Sequence, residues 1–200
     1  MMSKSAGQMS RPKWEPELRI ANPPPSLLVK YTRKEKDFFY DYASFIHKIL
    51  QDPTVGKRLG QILDLENVRM NGLVDIRVMI FPARSFRGQA NRVLHGSYNS
   101  TALQISLYPV RIPKDWIRWD GFDLFKRSYP NLSERKKKLL NEISESAVST
   151  LLHEIFHLKL GNRGMPRYVE ESVVKKMETQ YISDWAETIS GAVQRAVSEN

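Results

Sequence analysis

The run from Ser133 to Gly161 limits the fold of this chain more than any other stretch. Its body reads ERKKKLLNEISESAVSTLLHEIFHLKL, and Leu140, Ile143, Ala147, Val148, Leu151, Leu152 and Ile155 recur at intervals of three and four. That period predicts one long amphipathic helix. Ser133 is a residue type that caps helix starts, and Gly161 is the type that follows helix ends. In a chain of 200 residues, such a helix belongs to a single domain large enough to bury a sizeable core.

Other segments alternate in type around it. From Asp37 to Gln51 the apolar residues Phe38, Phe39, Tyr42, Phe45, Ile46, Ile49 and Leu50 keep helical spacing until Asp52 and Pro53, and TVGKRLGQILDL predicts a second, shorter helix. LVDIRVMIFP (73–82) is rich in branched residues and reads as a strand ending at Pro82. NRVLHGSYNS (91–100) carries Gly96, Ser97 and Asn99 and reads as a turn. In TALQISLYP (101–109), Leu103, Ile105 and Leu107 alternate with Gln104, Ser106 and Tyr108, which predicts a strand with one face toward water. After the connector GNRGMP, Pro166 suits a first helical turn, and a last helix is expected to about Ser190. Residues 1–35 hold Pro12, Pro16, Pro23, Pro24 and Pro25 and read as a basic N-terminal arm ahead of a domain over 36–200. The expected class is α+β: a single domain with a small mixed sheet, a helical N-terminal part and a C-terminal helix bearing glutamates.

The chain has no cysteine, which excludes disulfides, thiolate nucleophiles and cysteine metal sites together. A metal site must therefore draw on His, Asp or Glu. The formal charge is +9 and unevenly placed: residues 1–36 carry eight Lys/Arg against three acids, and residues 111–138 carry nine against four. Such patches attract polyanions, so the arm and residues 111–138 are the expected contact for a nucleic acid or acidic partner. Trp116, Trp119, Phe122, Phe125 and Tyr129 fall among these charges and are expected as packing anchors rather than base-stacking groups. No signal-like or membrane-spanning apolar run occurs, so a cytoplasmic protein without membrane contact is expected.

The long helix also carries HEIFH, two of the chain's four histidines. His153 and His157 stand one turn apart, within reach of one cation. Glu154 is rotated about 100° from His153, so it does not join their clamp but can hold a water on the metal. Two imidazoles on zinc, with a glutamate taking the proton of the zinc's water, is the chemistry this spacing serves. The alternative is a salt-bridged helical surface carrying two unrelated histidines. His47, alone on an earlier helix, is expected to be structural.

HEIFH on a helix, preceded by an alternating strand, resembles the zincin metallopeptidases, and the resemblance covers roughly residues 100–182. It implies a zinc cofactor, a peptide or protein substrate and an edge strand along the cleft to which an extended peptide adds. TALQISLYP is the expected edge strand. A catalytic zinc site takes three protein ligands. No histidine follows His157, so the third ligand is expected among the downstream carboxylates. Leu160 and Arg163 stand where the longer metzincin pattern needs Gly and His. On the last helix Glu170 falls near the middle of the stripe made by Val169, Val173, Val174, Met177, Tyr181 and Trp185, while Glu171 and Glu178 lie at its edge. A carboxylate on a buried face needs a cation. Glu170 is the expected third ligand, with Glu171 and Glu178 as alternatives, and EESVVKKM looks like the glutamate helix of gluzincin-like families.

The expected function is peptide-bond hydrolysis at zinc held by His153, His157 and Glu170, with Glu154 as general base. Tyr181 or His95 is expected to steady the oxyanion. The competing expectation is a basic, nucleic-acid-associated or regulatory binding protein on a zincin-like scaffold.

Overall fold

The computed structural model describes residues 16–68, 76–87, 92–109, 123–161 and 164–198. Strand β1 (Glu17–Ile20) and the short helix α1 (Pro25–Leu28) lead into α2 (Arg33–Gln51) and α3 (Pro53–Leu65). Strands β2 (Arg77–Ile80), β3 (Ser85–Arg87), β4 (Arg92–Leu94), β5 (Gly96–Asn99) and β6 (Gln104–Leu107) follow. A 3-10 turn at Tyr129–Asn131 precedes α4 (Glu134–Leu160), α5 (Arg167–Ile182) and α6 (Ala186–Ser198). The class is mixed α+β, as expected.

Local chemistry sets the helix ends. Thr32 and Glu35 form a reciprocal cap at the start of α2, in which the Thr32 amide donates to Glu35 Oε2 at 2.8 Å. Asp52 ends α2 and starts α3, accepting from the Thr54 amide at 2.9 Å. Ser133 caps α4 by accepting from the Lys136 amide, and Gly161 closes it. Every residue of the predicted α4 stripe is buried.

The main sheet runs β1-β2-β6-β5, with β1, β2 and β6 parallel and β5 antiparallel to β6. The register pairs Val78 with Ile105 and Ile80 with Leu107, so these four share a face. They join one apolar core with Ile46 from α2, Leu151 and Ile155 from α4 and Val193 from α6. Helix α4 packs against β5, β6, α5 and α6 at once. β3 and β4 form a separate antiparallel hairpin.

Four expectations are corrected. Strand β1 lies inside the segment read as an arm: Leu18 pairs with Val78, and His47 Nε2 lies 3.4 Å from the Leu18 carbonyl. The prolines flank a four-residue strand rather than preventing one; residues 1–15 lie outside the described residues. Second, the 101–109 segment is not the edge. β6 sits between β2 and β5, and Ile105, Ser106 and Leu107 are all buried, because both neighbours cover it. Third, the 91–100 stretch read as a turn holds β4 and β5, and β5 is the edge strand beside α4. Fourth, the last helix breaks at Ser183, Asp184 and Trp185, where Trp185 is fully buried and Arg58 stacks over its ring. No helix among the described residues is long and apolar enough to cross a membrane.

Candidate metal centre

Helix α4 presents Thr150, His153, Glu154, His157, Leu158 and Gly161 to an open cleft of about 1310 Å³. These positions recur at three and four residues, so one helical face makes the floor. Helix α5 forms one wall and β5 the other, with Phe86 and Leu94 from the β3–β4 hairpin at the rim.

The imidazoles of His153 and His157 meet at 70°, with Nε2 atoms 3.1 Å apart. Each ring is held from behind by a carboxylate of α5. His153 Nδ1 lies 2.9 Å from Glu178 Oε2, and His157 Nδ1 lies 2.7 Å from Glu170 Oε1. A carboxylate only accepts, so each Nδ1 carries the proton and donates. In the neutral rings each Nε2 then carries a lone pair, and the two nitrogens, 3.1 Å apart, are placed either to share one proton or to lie on a common cation.

Glu171 supplies the third side. Its Oε2 is 3.5 Å from both Nε2 atoms. Among the described residues, His153, His157 and Glu171 are the group whose ligand atoms all lie within 4.8 Å of one another. The triangle has edges of 3.1, 3.5 and 3.5 Å. A tetrahedral zinc with bonds near 2.1 Å has ligand–ligand edges of about 3.4 Å, so His153, His157 and Glu171 are the residues that would hold such an ion. Two imidazoles and one carboxylate are also a donor set that zinc accepts.

Glu170, the expected third ligand, lies at Nδ1 of His157, while Glu171 lies beside the two Nε2 atoms. Its side chain is 17% exposed and Glu171's is 44%, so helical phase ranked burial correctly. The more buried acid reaches the rear of His157, whereas the acid at the cleft edge reaches the paired Nε2 atoms. Glu178 takes the matching rear position on His153, and Ser149 donates a further hydrogen bond to it. That contact with Glu178, against the opposing effect of burial, holds the His153 imidazole above its usual pKa. Burial works to raise the Glu178 carboxyl, but the bonds from His153 and Ser149 hold it below the usual range.

Glu154 lines the cleft and is only 8% exposed. Gly96 of β5 passes directly over it: a Cβ there would come within 2.5 Å of Thr150 Cγ2 and 2.9 Å of Glu154 Oε1. The glycine read as a turn signal is thus what lets the edge strand lie against the motif helix. Val93 and Tyr98, strand-forming types to either side of the glycine, were the signal available for it.

Tyr181 is not at the centre. Its hydroxyl donates to Glu66, which also receives Lys159 at 2.6 Å, and burial followed by the Glu66 contact pushes the phenol up to about 12. The network ties the ends of α3, α4 and α5 together behind the site. His95 is exposed and lines the cleft. In the basic segment, Lys126 pairs with Asp41, Arg127 and Lys136 with Asp123, and Lys137 with Glu134. Phe125 is buried against Phe38 and Phe45, an anchor as expected, while Trp116, Trp119 and Phe122 lie outside the described residues.

Comparison of the chain with family models, curated proteins and solved structures finds no match.

Proposed function

We propose that the chain is a zinc-dependent metallopeptidase of the zincin kind, with His153, His157 and Glu171 as ligands and Glu154 as general base. The observation that carries the reading is the triangle of two Nε2 atoms and one carboxylate oxygen, with both Nδ1 atoms held by further carboxylates. Rear acids of this kind fix the ring tautomer and raise ligand basicity, and they have no such purpose on a helical surface with two unrelated histidines. Zinc there would supply Lewis acidity, polarising the scissile carbonyl and acidifying the attacking water.

The chain's own groups account for the rest. Glu154, one residue from His153 and facing the same cleft, takes a proton from the attacking water and returns it to the departing amine nitrogen. β5 leaves one edge without a strand partner among the described residues, and along it an extended peptide can add by main-chain hydrogen bonds. His95, next to that edge, is the remaining group for oxyanion support. Binding of a polyanion through the basic segments is the second reading. The ion pairs made by Lys126, Arg127, Lys136 and Lys137 within the chain weigh against it.

The test is Glu154→Gln, which removes the base and keeps every ligand. The variant should retain zinc and lose peptide hydrolysis by at least about a hundredfold. A variant that cleaved as fast as the parent would remove Glu154 from the mechanism.

A further inference from the structure

The wall opposite β5 carries two cations that the proposed chemistry does not use. Arg167, Glu171, Lys175 and Glu178 all line the cleft, and at 100° per residue they span about 80° of the α5 surface. Arg167 and Lys175 thus stand one turn to either side of the ligand carboxylate. Both are exposed.

The acids that might neutralise them have other partners. Glu170 holds His157, Glu178 holds His153 and Ser149, and Glu171 faces the paired Nε2 atoms. Arg167 reaches Glu171 Oε1 only at 4.0 Å. Among the described residues the Lys175 ammonium makes no ion pair. This differs from the 123–138 segment, where lysines and arginines are matched to acids of the chain. On the cleft wall, a guanidinium with only the 4.0 Å contact to Glu171 and an ammonium that feels Glu178 without pairing to it are both exposed and within reach of an anion.

We infer that Arg167 and Lys175 read a carboxylate on the substrate, so that the cleft takes peptides bearing one next to the bond to be cleaved. The inference rests on the peptidase reading and adds a substrate class to it. The carboxylate comes either from an internal Asp or Glu side chain or from a free C-terminus. Its spacing from the reacting carbonyl is set by the single helical turn between each cation and Glu171, about 6 Å along the axis.

The experiment uses the full chain loaded with zinc and dye-labelled peptides of one length. One has an internal Glu and an amidated end, one an internal Gln and a free carboxylate, and one neither charge. A single-stranded oligonucleotide is the fourth probe. Fluorescence anisotropy measures binding to Glu154→Gln, and cleavage is followed with the parent. One carboxylate peptide should bind at least about tenfold tighter than the neutral one at low salt. Whichever it is names the source.

Placing Lys175→Ala in that background should cut the discrimination to about threefold or less, and adding Arg167→Ala should abolish it. Lys176→Ala, an exposed neighbour outside the cleft lining, should leave it intact. Equal binding of the neutral peptide, discrimination that survives both substitutions, binding of the oligonucleotide alone, or no binding at all would each overturn the inference. Lys175-dependent discrimination without any cleavage would sink the peptidase reading and leave the carboxylate site standing. Cleavage without discrimination would do the reverse.

Discussion

Glu178 Oε2 accepts from His153 Nδ1 at 2.9 Å, and this contact turns the opposite nitrogen of the ring toward His157. Glu170 does the same for His157 at 2.7 Å. Two acids from one helix thereby pre-set two imidazoles on another. Preset rings lose little rotamer freedom when a cation arrives, and each imidazole becomes a better base.

Removing either rear acid should therefore weaken metal without abolishing it. Glu178→Gln and Glu170→Gln are each expected to lower zinc affinity by roughly 10–100-fold, while stoichiometry at saturating zinc stays unchanged. Competition against a chelator of known affinity measures this. Loss of stoichiometry in Glu170→Gln would show that Glu170 is a ligand itself.

The approach of β5 to α4 gives a second outcome. Gly96→Ala places a methyl within 2.5 Å of Thr150 Cγ2 and 2.9 Å of Glu154 Oε1. Backbone and helix must part, at a cost of about 1–3 kcal/mol. Because Glu154 is displaced as well, hydrolysis should fall more than stability alone explains. Denaturant melts beside kcat at a temperature where the variant is folded separate the two. A variant as stable and active as the parent would mean that the strand does not lie so close.

The C-terminal helix should detach first in acid. Arg195 of α6 grips Asp52 through two bonds of 2.7 and 3.0 Å. Burial works to raise the Asp52 carboxyl, but the Arg195 and Thr54 contacts bring it down to about 2, against an ordinary value of 3.8. A carboxyl depressed by folding stabilises fully above its unfolded pKa, and that stability is lost as pH falls through the folded value. The window is thus about pH 4 down to 2. The contribution is on the order of 1–2 kcal/mol after allowing for screening at the half-exposed Arg195. Asp52→Asn should flatten the stability profile in that window, as followed by urea unfolding at stepped pH; an unchanged slope would assign the acid dependence elsewhere.

These relationships differ in how far the sequence foretold them. The α4 stripe from Leu140 to Ile155 was legible because a 27-residue helix averages out local exceptions. His153 and His157 followed from the same period. The carboxylate beside the two Nε2 atoms was not legible by the same route. Phase ranks residues by burial, whereas the group that approaches nitrogens facing an open cleft is the edge residue Glu171, at 3.5 Å from both. Glu171 and Glu178, seven residues apart, share nearly one direction on the helix, yet Glu178 sits two turns further along and meets His153 from behind.

The sheet was harder to read. β4 and β5 are three and four residues long, too short for alternation to register, and Gly96 inside β5 looked like punctuation. β6 alternates in sequence, but its polar Ser106 is buried and bonded by Gln104 at 3.2 Å, so the pattern did not mark a wet face. The break between α5 and α6 has no Pro or Gly to announce it. Burial of Trp185 there is a tertiary effect.

The proposed zinc centre of His153, His157 and Glu171 is tested most directly by titrating zinc into the metal-free chain, for the parent and for Glu171→Ala, with a chelator as competitor. One zinc per parent chain is expected, with a loss of affinity of at least about a hundredfold in Glu171→Ala, since a proposed ligand and not a supporting acid is removed. No uptake by the parent, or equal affinity in Glu171→Ala, would contradict it.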